Sequence, residues 1–127
     1  MLKRMARIFG YTFVVVGILG FIPGITTDEG RLLGIFQVDA MHNIVHILSG
    51  VVALLAAYKS QHAARMYFKV FGIVYGLVAI LGIFHGNQPL FGLMAHNGAD
   101  VVLHFLIAGV ALYLGFSAKT RREAVTA

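Results

Sequence analysis

Two stretches of this 127-residue chain place ionisable side chains at the start of long apolar runs. These side chains recur three, four or seven positions apart: Asp39, His42 and His46 in the first stretch, and His96, Asp100 and His104 in the second. Residues spaced in this way share one face of an α-helix. If the two polar faces meet, their imidazoles and carboxylates form one cluster, which we predict to be the functional site.

The composition indicates that these stretches lie in a membrane. Hydrophobic residues make up 59% of the chain and charged residues only 12%, whereas soluble domains are roughly 45–50% apolar even when glycine is counted. Four apolar segments have about the length that spans a bilayer: 8–25, 41–58, 66–84 and 99–116. We therefore predict an all-α, four-helix transmembrane bundle in a single domain, 1–127. The chain has no cysteine, which excludes disulfides and thiolate metal ligands.

The basic residues predict the orientation. Nine of the ten gather before the first segment, between the second and third, and after the fourth, and only Arg31 falls elsewhere: Lys3, Arg4 and Arg7, then Lys59, Arg65 and Lys69, then Lys119, Arg121 and Arg122. By the positive-inside rule both termini are cytoplasmic. The net charge of +5 then predicts contact with anionic lipid head groups at the cytoplasmic face, and nucleic acid is not an expected partner. The outer connections, 26–40 and 85–98, are expected to form short re-entrant or amphipathic pieces.

The two halves of the chain resemble each other. Residues 8–10 match 70–72, and residues 33–36 match 91–94. At the second offset His46 falls on His104, His42 on Asp100 and Asp39 on Asn97. We predict an internal repeat of two helical hairpins that run the same way through the bilayer. Because both polar stretches begin a segment at the outer face, the repeat puts them at the same depth.

A transition-metal site is the favoured chemistry for the cluster. His42 and His46 present two imidazoles on one helical face, while Asp100 and His104 present a carboxylate and a third imidazole on the other. Three histidines and one aspartate suit Zn²⁺ best, and also Cu²⁺, Mn²⁺ or non-haem iron. Four neighbouring polar residues are predicted to orient these ligands by hydrogen bonding: Asp39, Asn43, His96 and Asn97.

Two other interpretations stay open at the level of sequence. His46 and His104 could be the axial ligands of a b-type haem in an electron carrier. Alternatively, a charged histidine could pair with Asp100 in a structural or proton-handling subunit without a cofactor. No nucleophile and base are evident, so the sequence does not decide whether the protein is an enzyme. A homo-oligomer also stays open, since so small a bundle can associate to cover polar surface.

The cluster residues also resemble a known family. The motifs HNxxH at 42–46 and ADxxLH at 99–104 occur in this order in a family of small four-span membrane proteins of bacteria, catalogued as a domain of unknown function. The resemblance covers nearly the whole chain, although Val101 stands where the family often has asparagine. It implies the four-span fold and a multi-pass location in the bacterial inner membrane. It implies no activity.

Overall fold

A computed structural model describes residues 1–117 of the protein. Four helices and a small two-stranded sheet follow one another: α1 (Leu2–Leu19), β1 (Arg31–Leu32), β2 (Phe36–Gln37), α2 (Ala40–Lys59), α3 (Gln61–His85) and α4 (Gly98–Phe116). The basic residues used to predict the orientation of the carboxyl terminus lie outside the described residues: Lys119, Arg121 and Arg122.

Three of the four helices, α2, α3 and α4, are long and apolar enough to cross a membrane. The prediction of a helical membrane protein is therefore confirmed in this coarser form. The first helix differs from the predicted segment 8–25, because it begins at Leu2 and ends at Leu19. Its first two turns include three of the basic residues. The chain turns after the helix ends, and Gly24, which follows Pro23, has a positive φ of 91°. Hydropathy alone predicts neither end of α1, because the apolar segment starts after the basic residues and continues through the apolar turn.

The helices pair closely as α1 with α2 and as α3 with α4. Glycines allow the close approach within each hairpin. A Cβ on Gly50 would lie 2.6 Å from the carbonyl oxygen of Gly10 on α1, and a Cβ on Gly115 would lie 2.7 Å from the backbone nitrogen of Lys69 on α3. Backbones packed this closely are typical of membrane helices, where small residues replace the hydrophobic effect as the basis of association.

The two hairpins meet through a buried aromatic group near the amino-terminal ends of α1 and α3. Phe9 lies 5.1 Å from Phe68 and 6.0 Å from Phe71 between ring centroids, in edge-to-face geometry. Phe13 continues the contact toward Phe71 and Tyr75, at 5.3 and 5.9 Å. Such aromatic pairs stabilise a contact beyond the effect of burying their apolar area, so this group fixes one end of the contact between hairpins. The candidate site occupies the other end.

The outer connections, for which the sequence predicts short re-entrant or amphipathic pieces, form tight turns. Residues 31–37 form an antiparallel hairpin in which Leu32 pairs with Phe36, and an isolated bridge joins Leu90 to Met94 in the second connection. Leu33 and Gly34 have φ values of 55° and 73°, and Phe91 and Gly92 have 52° and 70°. Two consecutive positive φ values specify a tight hairpin turn. That turn buries one leucine from each connection over the helices, Leu32 and Leu90.

Candidate metal centre

Three histidines from α2 and α4 gather at the outer end of the contact between hairpins. One ring nitrogen from each of His42, His46 and His104 lies within 4.8 Å of those of the other two. The ring centroids are 4.5 Å apart for His42 and His46, 5.9 Å for His42 and His104, and 6.3 Å for His46 and His104. All three side chains are buried. The predicted meeting of the two polar faces thus produces a histidine cluster, the name used below for these three residues.

Hydrogen bonds fix the orientation of His42. Its Nδ1–H donates to the carbonyl oxygen of Ala95 at 2.7 Å and to that of Gln37 at 3.1 Å. Because both partners are acceptors, Nδ1 carries the proton and Nε2 holds a free lone pair. In metal sites a histidine commonly donates one ring N–H to a backbone carbonyl and binds the metal with the other ring nitrogen. His42 has a free nitrogen of this kind.

Each histidine of the cluster presents a buried nitrogen with no hydrogen-bond partner among residues 1–117. These atoms are Nε2 of His42, Nδ1 of His46 and Nε2 of His104. An unpaired buried polar atom costs about 1–3 kcal/mol, and three such atoms at one place form an unusual concentration. Their lone pairs are suited to accept a shared cation, because neutral imidazole is a strong ligand for first-row transition metals.

Two aspartates join the outer connections across the cluster, and we call these contacts the aspartate bridges. Asp39 begins α2: its Oδ1 accepts from the backbone N–H of His42, and its Oδ2 accepts from that of Ala95, both at 2.9 Å. Asp100 Oδ2 accepts from the backbone N–H of Gln37 at 3.1 Å. Each carboxylate therefore holds the connection that precedes the other helix, and the residues it holds supply the two carbonyls that accept from His42.

Asp100 was predicted as a ligand, and its contacts here are with the backbone. Besides the bridge to Gln37, its Oδ2 accepts from the backbone N–H of Asn97 at 2.9 Å, while Asn97 Oδ1 accepts from the N–H of Asp100 at 3.1 Å. This reciprocal pair is a capping box at the start of α4. Within the described residues the group with metal-ligand geometry contains the histidine cluster alone.

The remaining polar residues predicted to orient the ligands occupy separate places. Asn97 caps α4 and its Nδ2 donates to the carbonyl oxygen of Ile35 at 2.9 Å. Asn43 is buried against α1, where a Cβ on Gly20 would overlap its amide group. His96 is also buried, and its Nε2 lies 3.4 Å from the carbonyl oxygen of Gly82 on α3. Asp39 and Asn97 thus contact the region around the cluster, while Asn43 and His96 pack against neighbouring helices.

Sequence reasoning missed the aromatic walls of the site. The ring of Phe13 lies 5.5 Å from His46, and that of Tyr75 lies 5.5 Å from His104, both edge to face. Tyr75 also shares a hydrogen bond of 3.0 Å with Ser49 on α2. A cavity of about 60 Å³ lies beside the cluster, lined also by Val74 and other apolar side chains. The predicted repeat offers a signal for these walls, since the offset of 62 residues that pairs Phe9 with Phe71 also pairs Phe13 with Tyr75.

Comparison with known protein families shows which family the chain belongs to. The family model described as a domain of unknown function, DUF4383, matches residues 3–117. No curated protein and no solved structure matches the chain. The matched range includes α1 from its second residue, all of α2, α3 and α4, and every residue of the histidine cluster and the aspartate bridges. The chain is therefore a member of the DUF4383 family.

Proposed function

We propose that this protein is a membrane protein that binds one transition-metal ion through His42, His46 and His104. The observation that carries the proposal is the convergence of three buried imidazoles with unpartnered nitrogens. A tetrahedral Zn²⁺ with bonds of about 2.0–2.1 Å separates its ligand nitrogens by about 3.3 Å. From separations within 4.8 Å, side-chain shifts of about 1 Å would bring the three rings onto one ion.

Three imidazoles leave one coordination position free. A zinc ion held by three histidines and an open position is the arrangement of catalytic rather than purely structural sites. Zn²⁺ is the favoured ion, followed by Cu²⁺ and non-haem iron, because nitrogen donors suit each of them. Asp100 as a fourth ligand would have to give up the N–H groups of Gln37 and Asn97, so we assign it instead to holding the outer connections in place.

The geometry favours a single ion over haem. A b-type haem between His46 and His104 would need its iron near the midpoint of the two rings. The centroid distances put the ring of His42 about 4 Å from that midpoint, inside the area that the macrocycle would cover. A network without a cofactor is also disfavoured, because it would leave the three facing nitrogens unpaired among the described residues.

We also propose that all four helices span the bilayer, with both termini in the cytoplasm of a bacterial cell. α1 has 18 residues, or about 27 Å at 1.5 Å per residue. It packs along α2 from Gly10 opposite Gly50 to Gly20 opposite Asn43, so α1 enters the membrane wherever α2 does. Its basic first turns would reach the cytoplasmic head groups. The predicted duplication of the hairpin is supported by the matching turns of the two outer connections.

Elemental mass spectrometry tests the metal site. The protein is purified in detergent without a histidine tag or chelator, reconstituted with Zn²⁺ or Co²⁺, and passed through a desalting column. We expect about one ion per chain, with His46→Ala and His104→Ala each reducing this at least tenfold. His62→Ala is the matched control, because His62 is exposed at the start of α3. No retained ion, or retention unchanged in both cluster variants, would refute the proposal.

A further inference from the structure

The structure indicates how the free position of this ion is reached. We infer, resting on the proposed metal site, that its ligand comes from within the bilayer through a cleft between α1 and α4. The ligand class is a neutral, lipid-soluble molecule with an apolar body and one small nitrogen- or oxygen-bearing group. The inference depends on three observations. The outer side of the cluster is covered, a lateral cleft reaches the cluster, and the equivalent groove on the other side does not reach it.

The outer side of the cluster is covered. The two connections lie over it and bury Leu32, Val38 and Leu90 to 4% exposure each. The aspartate bridges join these connections to each other, and His42 beneath them is 1% exposed. A water-soluble molecule approaching from this side would have to break both bridges before it met a ligand nitrogen.

The cleft between α1 and α4 ends at the cluster. It has a volume of about 340 Å³ and is lined by apolar side chains of both helices, including Phe13, Leu103 and Ile107. Thr12 and His46 are its two polar lining residues. His46 is also the most exposed member of the cluster, at 6% against 1% for His42 and 3% for His104. The cleft therefore leads from the lipid-facing surface to one of the three proposed ligands.

An equivalent groove between α2 and α3 does not reach the cluster. It is larger, about 560 Å³, yet none of the three histidines lines it. Val45, Val74 and Tyr75 separate this groove from the small cavity beside the cluster, since they line both. The hydrogen bond of Tyr75 to Ser49 joins α3 to α2 at that point. The predicted repeat pairs Phe13 with Tyr75 and Ile107 with Ser49. Phe13 and Ile107 have no hydroxyl group, so they cannot form the hydrogen bond that joins Tyr75 to Ser49.

The lining of the open cleft determines the class of ligand. No charged residue lines it, so a charged or strongly hydrated molecule would lose its water without replacement, at a cost of several kcal/mol. Apolar groups lose nothing by moving from lipid to this surface. A volume near 340 Å³ lies at the lower end of ordinary ligand sites, enough for one ring or a short chain. A single polar atom would then reach the free position beside His46.

The test uses the Co²⁺-loaded protein in phosphatidylcholine nanodiscs and two imidazoles that differ only in their tail. The first, 1-octylimidazole, is lipid-soluble, and the second carries a propylsulfonate. Binding to the ion is followed by the shift of the visible Co²⁺ bands after rapid mixing. We expect the octyl compound to shift the bands and the sulfonate to leave them unchanged at equal concentration.

Two tryptophan variants locate the entrance. Thr12→Trp fills the open cleft from the exposed side of α1 and is expected to slow the octylimidazole reaction at least tenfold. Val70→Trp is the matched control, because Val70 lines the equivalent groove but not the cavity beside the cluster, and the predicted repeat pairs it with Ile8 of the open cleft. It is expected to react as the parent does. If Thr12→Trp fails to load Co²⁺, Ile107→Trp replaces it from the α4 side.

The outcomes separate this inference from the metal site itself. Failure of the parent protein to bind Co²⁺ would refute the metal site. Co²⁺ binding with equal response to both imidazoles would show entry from water and refute the lateral cleft. Equal rates in the two tryptophan variants, each with intact Co²⁺ bands, would also refute it. A selective response that Thr12→Trp alone slows would support a lipid-soluble ligand.

Discussion

Replacing Asp39 by alanine should weaken both the fold and the metal site, because one carboxylate serves two connections. Its Oδ1 caps α2 through the N–H of His42, and its Oδ2 accepts from the N–H of Ala95. Loss of an N-cap costs about 0.5–2 kcal/mol. Loss of a hydrogen bond to a charged acceptor costs about 1.5–3 kcal/mol. Since Asp39 is partly exposed, we expect Asp39→Ala to lower the free energy of unfolding by about 2–4 kcal/mol.

The effect on the metal follows from the same geometry. Ala95, which Asp39 holds, also supplies the carbonyl that accepts from His42 Nδ1 at 2.7 Å. Freeing that carbonyl weakens the shorter of the two hydrogen bonds that orient His42, and changes of this kind reduce metal affinity by about 10–100-fold. Asp39→Asn should keep the helix cap and lose the contact with Ala95, since the amide nitrogen cannot accept. It is therefore expected to lose affinity with a smaller loss of stability.

Two measurements check this prediction: Zn²⁺ affinity by competition with a chromophoric chelator, and unfolding followed by circular dichroism in detergent. Asp28→Ala is the control, because Asp28 is an exposed acid in the same connection. It removes one negative charge without removing a bridge. Asp39→Ala with the stability and affinity of Asp28→Ala would show that the bridge contributes nothing measurable, and the reasoning from hydrogen bonds would fail.

Two further predictions concern packing and orientation. Gly50→Ala should destabilise the protein by about 1–3 kcal/mol, because its Cβ would lie 2.6 Å from the carbonyl oxygen of Gly10. Gly109→Ala, with no neighbour within 4 Å of its Cβ position, should leave stability unchanged or slightly raised, and equal unfolding midpoints for the two variants would contradict the close contact. A fluorescent protein fused after Ala127 should fold and fluoresce, whereas alkaline phosphatase at the same position should be inactive; the reverse would overturn the proposed cytoplasmic terminus.

Helical periodicity was enough to predict the histidine cluster. His42 and His46 lie one turn apart on α2, and the repeat pairs His46 with His104 on α4. The spacing of the side chains therefore contained the information that the two polar faces meet. Composition likewise predicted long apolar helices, and α2, α3 and α4 are long and apolar enough to cross a membrane.

The role of Asp100 was harder to predict because two patterns compete for it. As an acid three residues after Asn97, it matches the capping box that it forms. As an acid four residues before His104, it matches a metal ligand equally well. Sequence spacing does not distinguish the two, since the outcome depends on which backbone N–H groups the other connection brings near. Gln37 is one such partner, 63 residues away.

The turns of the outer connections were hard to predict for a related reason. Their apolar residues indicate pieces lying in the membrane interface, which stays a prediction, but not the burial of Leu32 and Leu90 against the helices. The turn itself needs positive φ at Leu33 and Phe91, a conformation that glycine or asparagine usually signals. Neither residue type stands there, so the sequence offers only the following glycine as a hint.

A departure from the predicted repeat bears on how the proposed site would balance charge. The predicted repeat pairs His42 with Asp100, so the chain provides three imidazoles and a carboxylate where a symmetric chain would provide four imidazoles. Three neutral donors leave a divalent ion with its full charge, which is costly in a medium of low dielectric constant. The two carboxyl groups of the aspartate bridges accept from the same two residues whose carbonyls accept from His42. The same two side chains would therefore close the outer side of the site and, when ionised, offset the charge of its ion, while leaving the fourth coordination position free.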